Sequence, residues 1–295
     1  MLLVVRMDII AKSNDVEIYA EKEWEFSFFA SPYHAHREFG AVDIYQGRDF
    51  GDIAISPVNG RVFKIMKFES PSLGKALPEY LILIKNGSYL VRIMHIEPSV
   101  REGDKIHVGD EIGKFINNGY FYFWSDANIH VEVRDLNNYL RARGGYELMP
   151  TFTNKIDGKT SVSELEGVVV NVSKRNITIK LNKNNVVKIW NEYALMDCAT
   201  PLGYGGILGK FKLGDEIYFN GIKIGKIDNV GNYMSTFKTE KLMVFANDIE
   251  FNGISFIFGR RVMRLLPKRY GRPVLRKGDR VKIKLEGKKN ETRQL

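Results

Sequence analysis

Cysteine and histidine are scarce in this sequence, which limits the chemistry that the chain can carry. The one cysteine, Cys198, excludes an internal disulfide and a metal site built from thiolates, and we expect it to be a small buried hydrophobic residue. The five histidines lie at positions 34, 36, 95, 107 and 130. Any histidine-based site therefore lies in the first half, although His107, in a short strand flanked by turns, is predicted to be a surface residue.

Long apolar stretches are also missing. No run approaches the ~20 apolar residues that cross a bilayer. The N-terminal MLLVVRMDII lacks the charged start and small-residue cleavage site of a signal peptide. We therefore expect a cytoplasmic protein with no membrane partner. Glutamine occurs twice, at Gln46 and Gln294, while lysine, isoleucine and glutamate are plentiful, a bias typical of thermophiles.

Excess positive charge is absent from most of the chain and concentrated at its C-terminal end. Residues 260–295 hold fourteen Lys/Arg and three Asp/Glu, whereas the rest holds thirty and thirty-two. Clustered cations neutralise phosphates, so this segment is a candidate contact for nucleic acid or an acidic protein. The alternative is a solvated cationic face of a β-barrel. The candidate contact residues are Arg260, Arg261, Arg264, Lys268, Arg269, Arg272, Arg276 and Lys277.

Short alternating runs punctuated by Gly-Asp turns predict a mainly β protein, and 295 residues are enough for two domains. We assign residues 1–148 to a first β-domain, 149–163 to a polar linker and 164–295 to a second β-rich, barrel-like domain. Within the first domain, residues 135–148 are predicted to form one short helix that ends at Gly144-Gly145.

The histidines suggest a metal site. A catalytic zinc takes three protein ligands from histidines and carboxylates and leaves a fourth position to water. His36, Asp43 and His130 would supply such a set, with His34 as an alternative ligand. His95 would then be free to hold or deprotonate the water, or to stabilise an oxyanion. In the structural alternative, these histidines are unrelated hydrogen-bonded residues on separate strands.

Five short motifs follow one another between residues 30 and 134. They are HAHREFGAVDIY at 34–45, PVNGRV at 57–62, RIMHIEP at 92–98, the paired Gly-Asp turns of VREGDKI and GDEIG within 100–113, and NIHVEV at 128–133. In this order they resemble the lysostaphin/LytM-type zinc metallopeptidases. The resemblance implies a duplicated hybrid motif, a β-sandwich or barrel, in the first domain. It also implies zinc on His36, Asp43 and His130, a peptide-like substrate, and His95 in catalysis.

Two positions depart from that family. Its first histidine lies four residues before the aspartate, where this chain has Phe39, and its second catalytic imidazole is replaced by Asn128. Asparagine forms hydrogen bonds but takes up no proton, and losing one acid/base group typically lowers rates by about 10²–10⁴-fold. One hypothesis is a divergent zinc-dependent peptide or amide hydrolase with a weakened acid/base pair, His95 and Asn128. The other is a catalytically inactive binding or scaffolding protein whose basic C-terminal domain contacts nucleic acid or an acidic partner.

Overall fold

The computed structural model describes residues 6–70, 77–152, 165–182, 186–258, 261–271 and 273–287. The chain divides into two compact units. The first comprises Met1–Phe28 and Pro32–Thr153, and the second comprises Phe29–Ser31 and Asn154–Leu295. Regular structure in both is almost entirely β, which confirms the predicted mainly-β class with two β-rich parts. In the described part of the chain, no helix has the length and hydrophobicity to cross a membrane.

The first unit is built from short strands and one helical turn. In chain order these are β1 (Met7–Ser13), β2 (Val16–Glu21), β3 (Glu25–Ser27), α1 (His34–Arg37), β4 (Ala41–Tyr45), β5 (Ile53–Ile55), β6 (Gly60–Ser70), β7 (Leu77–Asn86), β8 (Tyr89–Met94), β9 (Ile96–Pro98), β10 (Lys105–Ile106), β11 (Glu111–Phe115), β12 (Ile129–Asp135) and β13 (Met149–Pro150).

Described strands of the first unit form three antiparallel sheets. The largest has the order β10-β6-β7-β8-β12-β4-β3, and the two smaller ones have the orders β13-β1-β2 and β5-β11-β9. Strand β12 lies inside the largest sheet, between β8 and β4. Its residues Ile129, Val131 and Val133 are fully buried, and the alternate positions His130, Glu132 and Arg134 are buried as well. Because side chains alternate along a strand, one face of β12 is apolar and the other carries ionisable groups.

Gly113 shows why the Ile-Gly pair of the sequence motif needs glycine. Its φ is +154°, and a Cβ atom there would lie 2.1 Å from the carbonyl oxygen of Glu97. Glycine therefore permits the close pairing of β11 with β9, in which Gly113 lies opposite Pro98.

The predicted helix over residues 135–148 is wrong, because β12 extends to Asp135 and the residues after it form turns, bends and irregular structure. The buried guanidinium of Arg134 donates hydrogen bonds to the carbonyl oxygens of Arg141 and Arg143. Those bonds hold the segment in an open loop, so tertiary contacts override its local helix pattern. Residues 149 and 150, placed in the linker by the sequence analysis, form β13 beside β1. Residues 153–163 of that predicted linker lie outside the described part.

The second unit contains further antiparallel strands. They are β14 (Leu165–Val172), β15 (Ile177–Leu181), β16 (Val186–Ile189), β17 (Glu192–Ala199), β18 (Tyr204–Leu208), β19 (Glu216–Phe219), β20 (Ile222–Val230), β21 (Met234–Thr239), β22 (Leu242–Ala246), β23 (Ile249–Phe251), β24 (Gly253–Phe256), β25 (Val262–Leu266) and β26 (Arg280–Gly287), with a 3-10 helix at Thr200–Leu202.

Six of the described strands in the second unit close into a barrel. The ring runs β16-β19-β20-β21-β18-β17 and returns to β16, so none of the six leaves an unpaired edge within it. From β17 the sheet continues in the order β24-β25-β15-β14-β26-β22-β23. The interior is apolar and includes Cys198, which is buried as expected. Burial raises the pKa of its thiol, so Cys198 is a poor nucleophile.

Three residues from early in the chain belong to the second unit. The backbone N–H of Phe29 donates to a carboxylate oxygen of the buried Asp197, at 3.1 Å. The Phe29 ring packs edge-on against Phe258, and a Cβ atom at Gly206 would lie 2.1 Å from it. The Tyr204 hydroxyl donates to the carbonyl oxygen of Ser31. The assignment of Phe29–Ser31 to the second unit differs from the predicted division, which placed these residues in the first domain.

Candidate metal centre

The strand register places two of the predicted ligands side by side. His130 on β12 lies directly opposite Asp43 on β4. Paired residues of adjacent strands project to the same face of a sheet, so their side chains meet. On the other side of β12, His130 pairs with Met94, the last residue of β8. His95 is therefore one residue beyond the strand position next to His130.

Helix α1 supplies the third predicted ligand. His36 is fully buried, whereas His34 at the start of the same turn is exposed, so the structure brings His36 to the group and leaves the alternative ligand outside it. Phe39, two residues after the end of α1, has a φ of +61° and lies buried before β4. In the family that the first domain resembles, the histidine lies four residues before the aspartate. The helical turn accommodates the additional residues between His36 and Asp43.

Three candidate ligand atoms form a small triangle. His36 Nε2 lies 3.1 Å from His130 Nδ1 and 3.2 Å from Asp43 Oδ1, and His130 Nδ1 lies 2.8 Å from Asp43 Oδ1. Four tetrahedral ligands about 2.05 Å from a zinc ion would lie about 3.3 Å from one another. Only a small outward shift would therefore give these atoms the spacing of ligands on one ion. The buried His36, Asp43 and His130 group could hold a metal ion.

The opposite nitrogen of each imidazole is engaged by the protein. His36 Nδ1 lies 2.8 Å from the carbonyl oxygen of Phe28, which only accepts hydrogen bonds, so we assign its proton to Nδ1. His130 Nε2 lies 2.9 Å from a carboxylate oxygen of Glu132, so we assign its proton to Nε2. Both rings in their neutral form then direct unprotonated nitrogens at Asp43. Such second partners commonly fix the tautomer of metal-binding histidines.

The pKa values of several ionisable groups in the centre are strongly shifted. Burial lowers the pKa of His130, but hydrogen bonds to Asp43 and Glu132 outweigh it and raise the pKa to about 9. Burial raises the pKa of Asp43, but the imidazoles of His36 and His130 outweigh it and hold the pKa well below its usual range. The pKa of Glu132 is lowered as well, because His130 and two arginines outweigh its burial. Three acceptor atoms that converge in a buried space require a cation, which is a proton or a metal ion.

His95 stands beside the triangle with a carboxylate partner of its own. It has a φ of +73° and forms the corner between β8 of the large sheet and β9 of a small one. Its ring centroid lies 5.8 Å from that of His130. Its Nδ1 lies 2.6 Å from one oxygen of Glu79, and its backbone N–H donates to the other. His95 Nε2 remains as the nitrogen that can accept a proton.

Glu79 is fully buried on β7 and is also bound by the side-chain amide of Asn118, at 2.9 Å. Burial raises its pKa, but the hydrogen bond and charge of His95 outweigh burial and lower it. A charged Glu79 keeps the proton of His95 on Nδ1. The rings of Tyr120 and Phe121 also pack against His95.

Asn128, at the position of the missing imidazole, is buried just before β12, two residues from His130. Its amide nitrogen donates to the carbonyl oxygen of Asp126 at 3.2 Å. Its side-chain oxygen has no hydrogen-bond partner among the described residues. A buried acceptor without a donor is unfavourable, so this oxygen is suited to receive an N–H or O–H from a bound molecule.

Two carboxylates, Glu79 and Glu132, were given no role in the predictions from the sequence. The sequence nevertheless contains a feature that indicates burial of each. Glu79 is an acidic residue leading into the apolar run YLILI, and Glu132 lies two residues after His130, on the same face of a strand. Buried acidic residues are rare unless they are paired, so each indicated a partner. The sequence alone did not show that the partners are His95 and His130.

The other predicted residues lie elsewhere. His107 is exposed, with Asp110 beside it. Lys268 is exposed and forms an ion pair with Glu250. Arg260 and Arg272 lie outside the described residues. Among the remaining candidate polyanion contacts, Arg264 on β25 is half-buried, and the exposed residues are Arg261, Arg269, Arg276 and Lys277.

In comparisons with known proteins, one family matches part of the chain. Residues 15–150 match a family described as the N-terminal domain of a domain of unknown function, DUF8155. No curated protein and no solved structure matches the chain. The matched segment contains His36, Asp43, Glu79, His95 and His130, so the chain is similar to this family over the whole of its candidate metal centre.

Proposed function

We propose that the first unit is a zinc-dependent hydrolase of peptide or amide bonds. The observation that carries the proposal is the convergence of His36 Nε2, Asp43 Oδ1 and His130 Nδ1 at 2.8 to 3.2 Å in a buried site. Two imidazoles and one carboxylate are a donor set that suits zinc. The order of motifs that resembles the LytM-type metallopeptidases supports a peptide-like substrate.

The number of ligands favours catalysis over a purely structural role. Structural zinc sites usually have four protein ligands, whereas catalytic sites have three and leave a position for water or substrate. Within the described residues, three side chains make up this group. Glu132, a further buried carboxylate, contacts the opposite nitrogen of His130 and orients the ring.

Hydrolysis of a peptide or amide bond would require one group that transfers a proton. Zinc, when bound, lowers the pKa of a water ligand to about 7 and polarises a carbonyl group. His95 Nε2 would take the proton of the attacking water and return it to the leaving amine. Glu79 would keep the His95 ring in the required tautomer and stabilise its protonated form. Asn128 can orient the substrate or the water by hydrogen bonds.

Tyr33 is a candidate donor close to these groups. Burial, followed by the charges of neighbouring groups that include Asp43 and Glu79, raises the pKa of its hydroxyl. Its hydroxyl donates to the carbonyl oxygen of Tyr120 at 3.3 Å, a long bond that a substrate oxyanion would have to replace. A phenol that stays protonated can donate a hydrogen bond to a developing oxyanion.

The first experiment is metal analysis of the purified, untagged chain. We expect about one zinc per chain in the wild type. We also expect zinc in His107→Ala, which removes an exposed histidine, and loss of zinc in His130→Ala. Circular dichroism would show that each variant is folded. If the wild type binds no metal after incubation with zinc, the proposal is wrong.

A second experiment separates metal binding from hydrolysis. His95→Ala should retain zinc and lose cleavage of a mixed peptide library by about 10²–10⁴-fold, because it removes the group that transfers protons. Glu79→Gln should reduce cleavage less and retain zinc. Equal cleavage by the wild type and His95→Ala would contradict the assigned role of His95.

A second candidate function is a metal-stabilised binding module without catalysis. Asn128 in place of an imidazole favours it, and so does the burial of His36, Asp43 and His130, which are 0%, 5% and 4% exposed. In this case the exposed basic residues of the second unit would contact nucleic acid or an acidic protein. Zinc binding without peptide cleavage, together with nucleic-acid affinity that falls steeply with salt, would support this function.

A further inference from the structure

The closed barrel of the second unit carries a cavity of about 680 Å³ that the proposed hydrolase does not use. Ligand pockets typically have volumes of ~300–1,000 Å³, so a small molecule or a short chain would fit. The cavity lies over β16, β17 and β19 and the turns next to them. Its side chains include Lys188, Trp190, Tyr193, Asp215, Glu216 and Tyr218.

The strand register aligns two aromatic rings across this surface. Lys188 on β16 lies opposite Tyr193 on β17 and opposite Tyr218 on β19. Adjacent strands are about 4.8 Å apart, so the Cα atoms of the two tyrosines lie roughly 10 Å apart, with Lys188 between them. Trp190, in the turn after β16, is 76% exposed, and the two tyrosines are 40% and 36% exposed. Aromatic surface exposed in one cluster indicates an interaction site.

Trp190 is held in an unfavourable backbone conformation. Its φ is +53°, a region that bulky side chains rarely adopt. Its indole N–H donates to a carboxylate oxygen of Asp215 at 2.9 Å. The Tyr218 hydroxyl likewise donates to Glu216 at 2.7 Å. Both rings are therefore oriented before a ligand arrives, and strain of this kind concentrates at functional positions.

The charges limit the class of ligand. Two carboxylates and one ammonium group line the cavity, so the lining is not the cluster of cations that a phosphodiester chain requires. Both carboxylates already accept hydrogen bonds from aromatic side chains, and Glu216 is also paired with Lys223 at 2.7 Å, which lessens their attraction for a free cation. A neutral ligand with an apolar face and several hydroxyl groups fits better. Its face would stack on the rings, and its hydroxyls would bind Lys188, the carboxylates and the nearby Asn220.

We propose that this aromatic surface of the second unit binds an uncharged saccharide, with Trp190, Tyr193 and Tyr218 as stacking platforms. The sugar rings lie flat on the aromatic faces, and the polar residues around them select the hydroxyl arrangement. This binding requires no metal ion and is independent of the proposed hydrolysis.

The test is nuclear magnetic resonance of the full chain labelled with ¹⁵N. The three tryptophans, Trp24, Trp124 and Trp190, give separate indole signals, and Trp190→Phe identifies the signal of residue 190. The probes are uncharged tetrasaccharides of α-linked glucose, β-linked glucose and N-acetylglucosamine, and oligouridylate for comparison. At least one tetrasaccharide should shift the Trp190 signal in a saturable way, while the Trp24 signal stays unchanged.

Variants locate the binding site. Trp190→Ala and Tyr218→Ala should each weaken binding of that tetrasaccharide by about tenfold, the order expected when an aromatic contact is lost. Tyr270→Ala, which removes another exposed tyrosine of the same unit, should leave binding unchanged. If no tetrasaccharide shifts the Trp190 signal, the proposal is wrong. It is also wrong if oligouridylate alone shifts this signal, since the surface would then bind nucleic acid.

Discussion

Glu132 accepts the N–H of His130 that faces away from the three ligand atoms, and it also pairs with the buried Arg134 at 2.8 Å. A carboxylate in this position raises the basicity of a metal-binding imidazole. Glu132→Gln should therefore weaken zinc binding by about tenfold or more, measured by competition with a chromophoric chelator. Glu111→Gln, which changes an exposed glutamate of the same unit, is the matched control and should bind zinc like the wild type. Unchanged zinc affinity in Glu132→Gln would contradict this role.

The raised pKa of His130 predicts how the metal-free protein responds to pH. The pKa rises from 6.5 to about 9 on folding, so this group contributes stability that is complete below pH 6.5 and is lost as the pH passes 9. Denaturation should show the free energy of unfolding falling over this interval, by at most roughly 3 kcal/mol. His130→Asn should lack the fall, and stabilisation by added zinc should grow over the same interval, because zinc competes with the proton.

At the scale of elements, helix α1 determines which residue completes the metal centre. The family that the first domain resembles has its histidine four residues before the aspartate, at the position of Phe39. Here the one-turn helix places His36 beside His130 instead. His36→Ala should lose zinc, and the double variant His36→Ala/Phe39→His should not regain it. The double variant should also be less stable than His36→Ala by about 1–3 kcal/mol, because a polar ring replaces the buried Phe39. Zinc titration and thermal unfolding test both statements. Restored zinc binding would mean that position 39 reaches the metal centre.

Much of this architecture could be predicted because it is local. Alternating side chains and Gly-Asp turns indicated the strands and the mainly-β class. The sequence also singled out His36, Asp43 and His130, which the strand register and α1 bring together. The pairing of Glu79 with His95 was not predictable, because it depends on how the chain turns at His95. The helix predicted over residues 135–148 failed for a similar reason: the buried Arg134 donates hydrogen bonds to the carbonyl oxygens of Arg141 and Arg143 and holds this segment in another conformation.

At the scale of the molecule, Phe29–Ser31 prevent a simple division of the chain after residue 153. A fragment that starts at residue 154 lacks the N–H donor of Phe29 to Asp197 and the ring that packs against Phe258. We expect this fragment to be much less stable than the same residues in the full chain, and hydrogen exchange should show reduced protection throughout β17 and β18.

Phe29→Ala in the full chain tests the same contact without truncation. It should destabilise the second unit by about 3–5 kcal/mol, the usual cost of removing a buried phenylalanine ring. Phe63→Ala, which removes a ring that is 48% exposed, is the control and should have a much smaller effect. Calorimetry of both variants would measure the difference, and equal destabilisation would show that Phe29 contributes no more than a surface ring.

The position of Phe29–Ser31 also sets an order of events on the ribosome. Phe29 and Ser31 bind Asp197 and Tyr204, which are 168 and 173 positions further along the chain. These three residues leave the exit tunnel before their partners, which follow only after at least 168 further residues have been translated. Contacts between such distant residues slow folding, since a long loop must close before they form. Completion of the barrel is therefore a late step of biosynthesis, and Phe29 is exposed to chaperones until that step occurs.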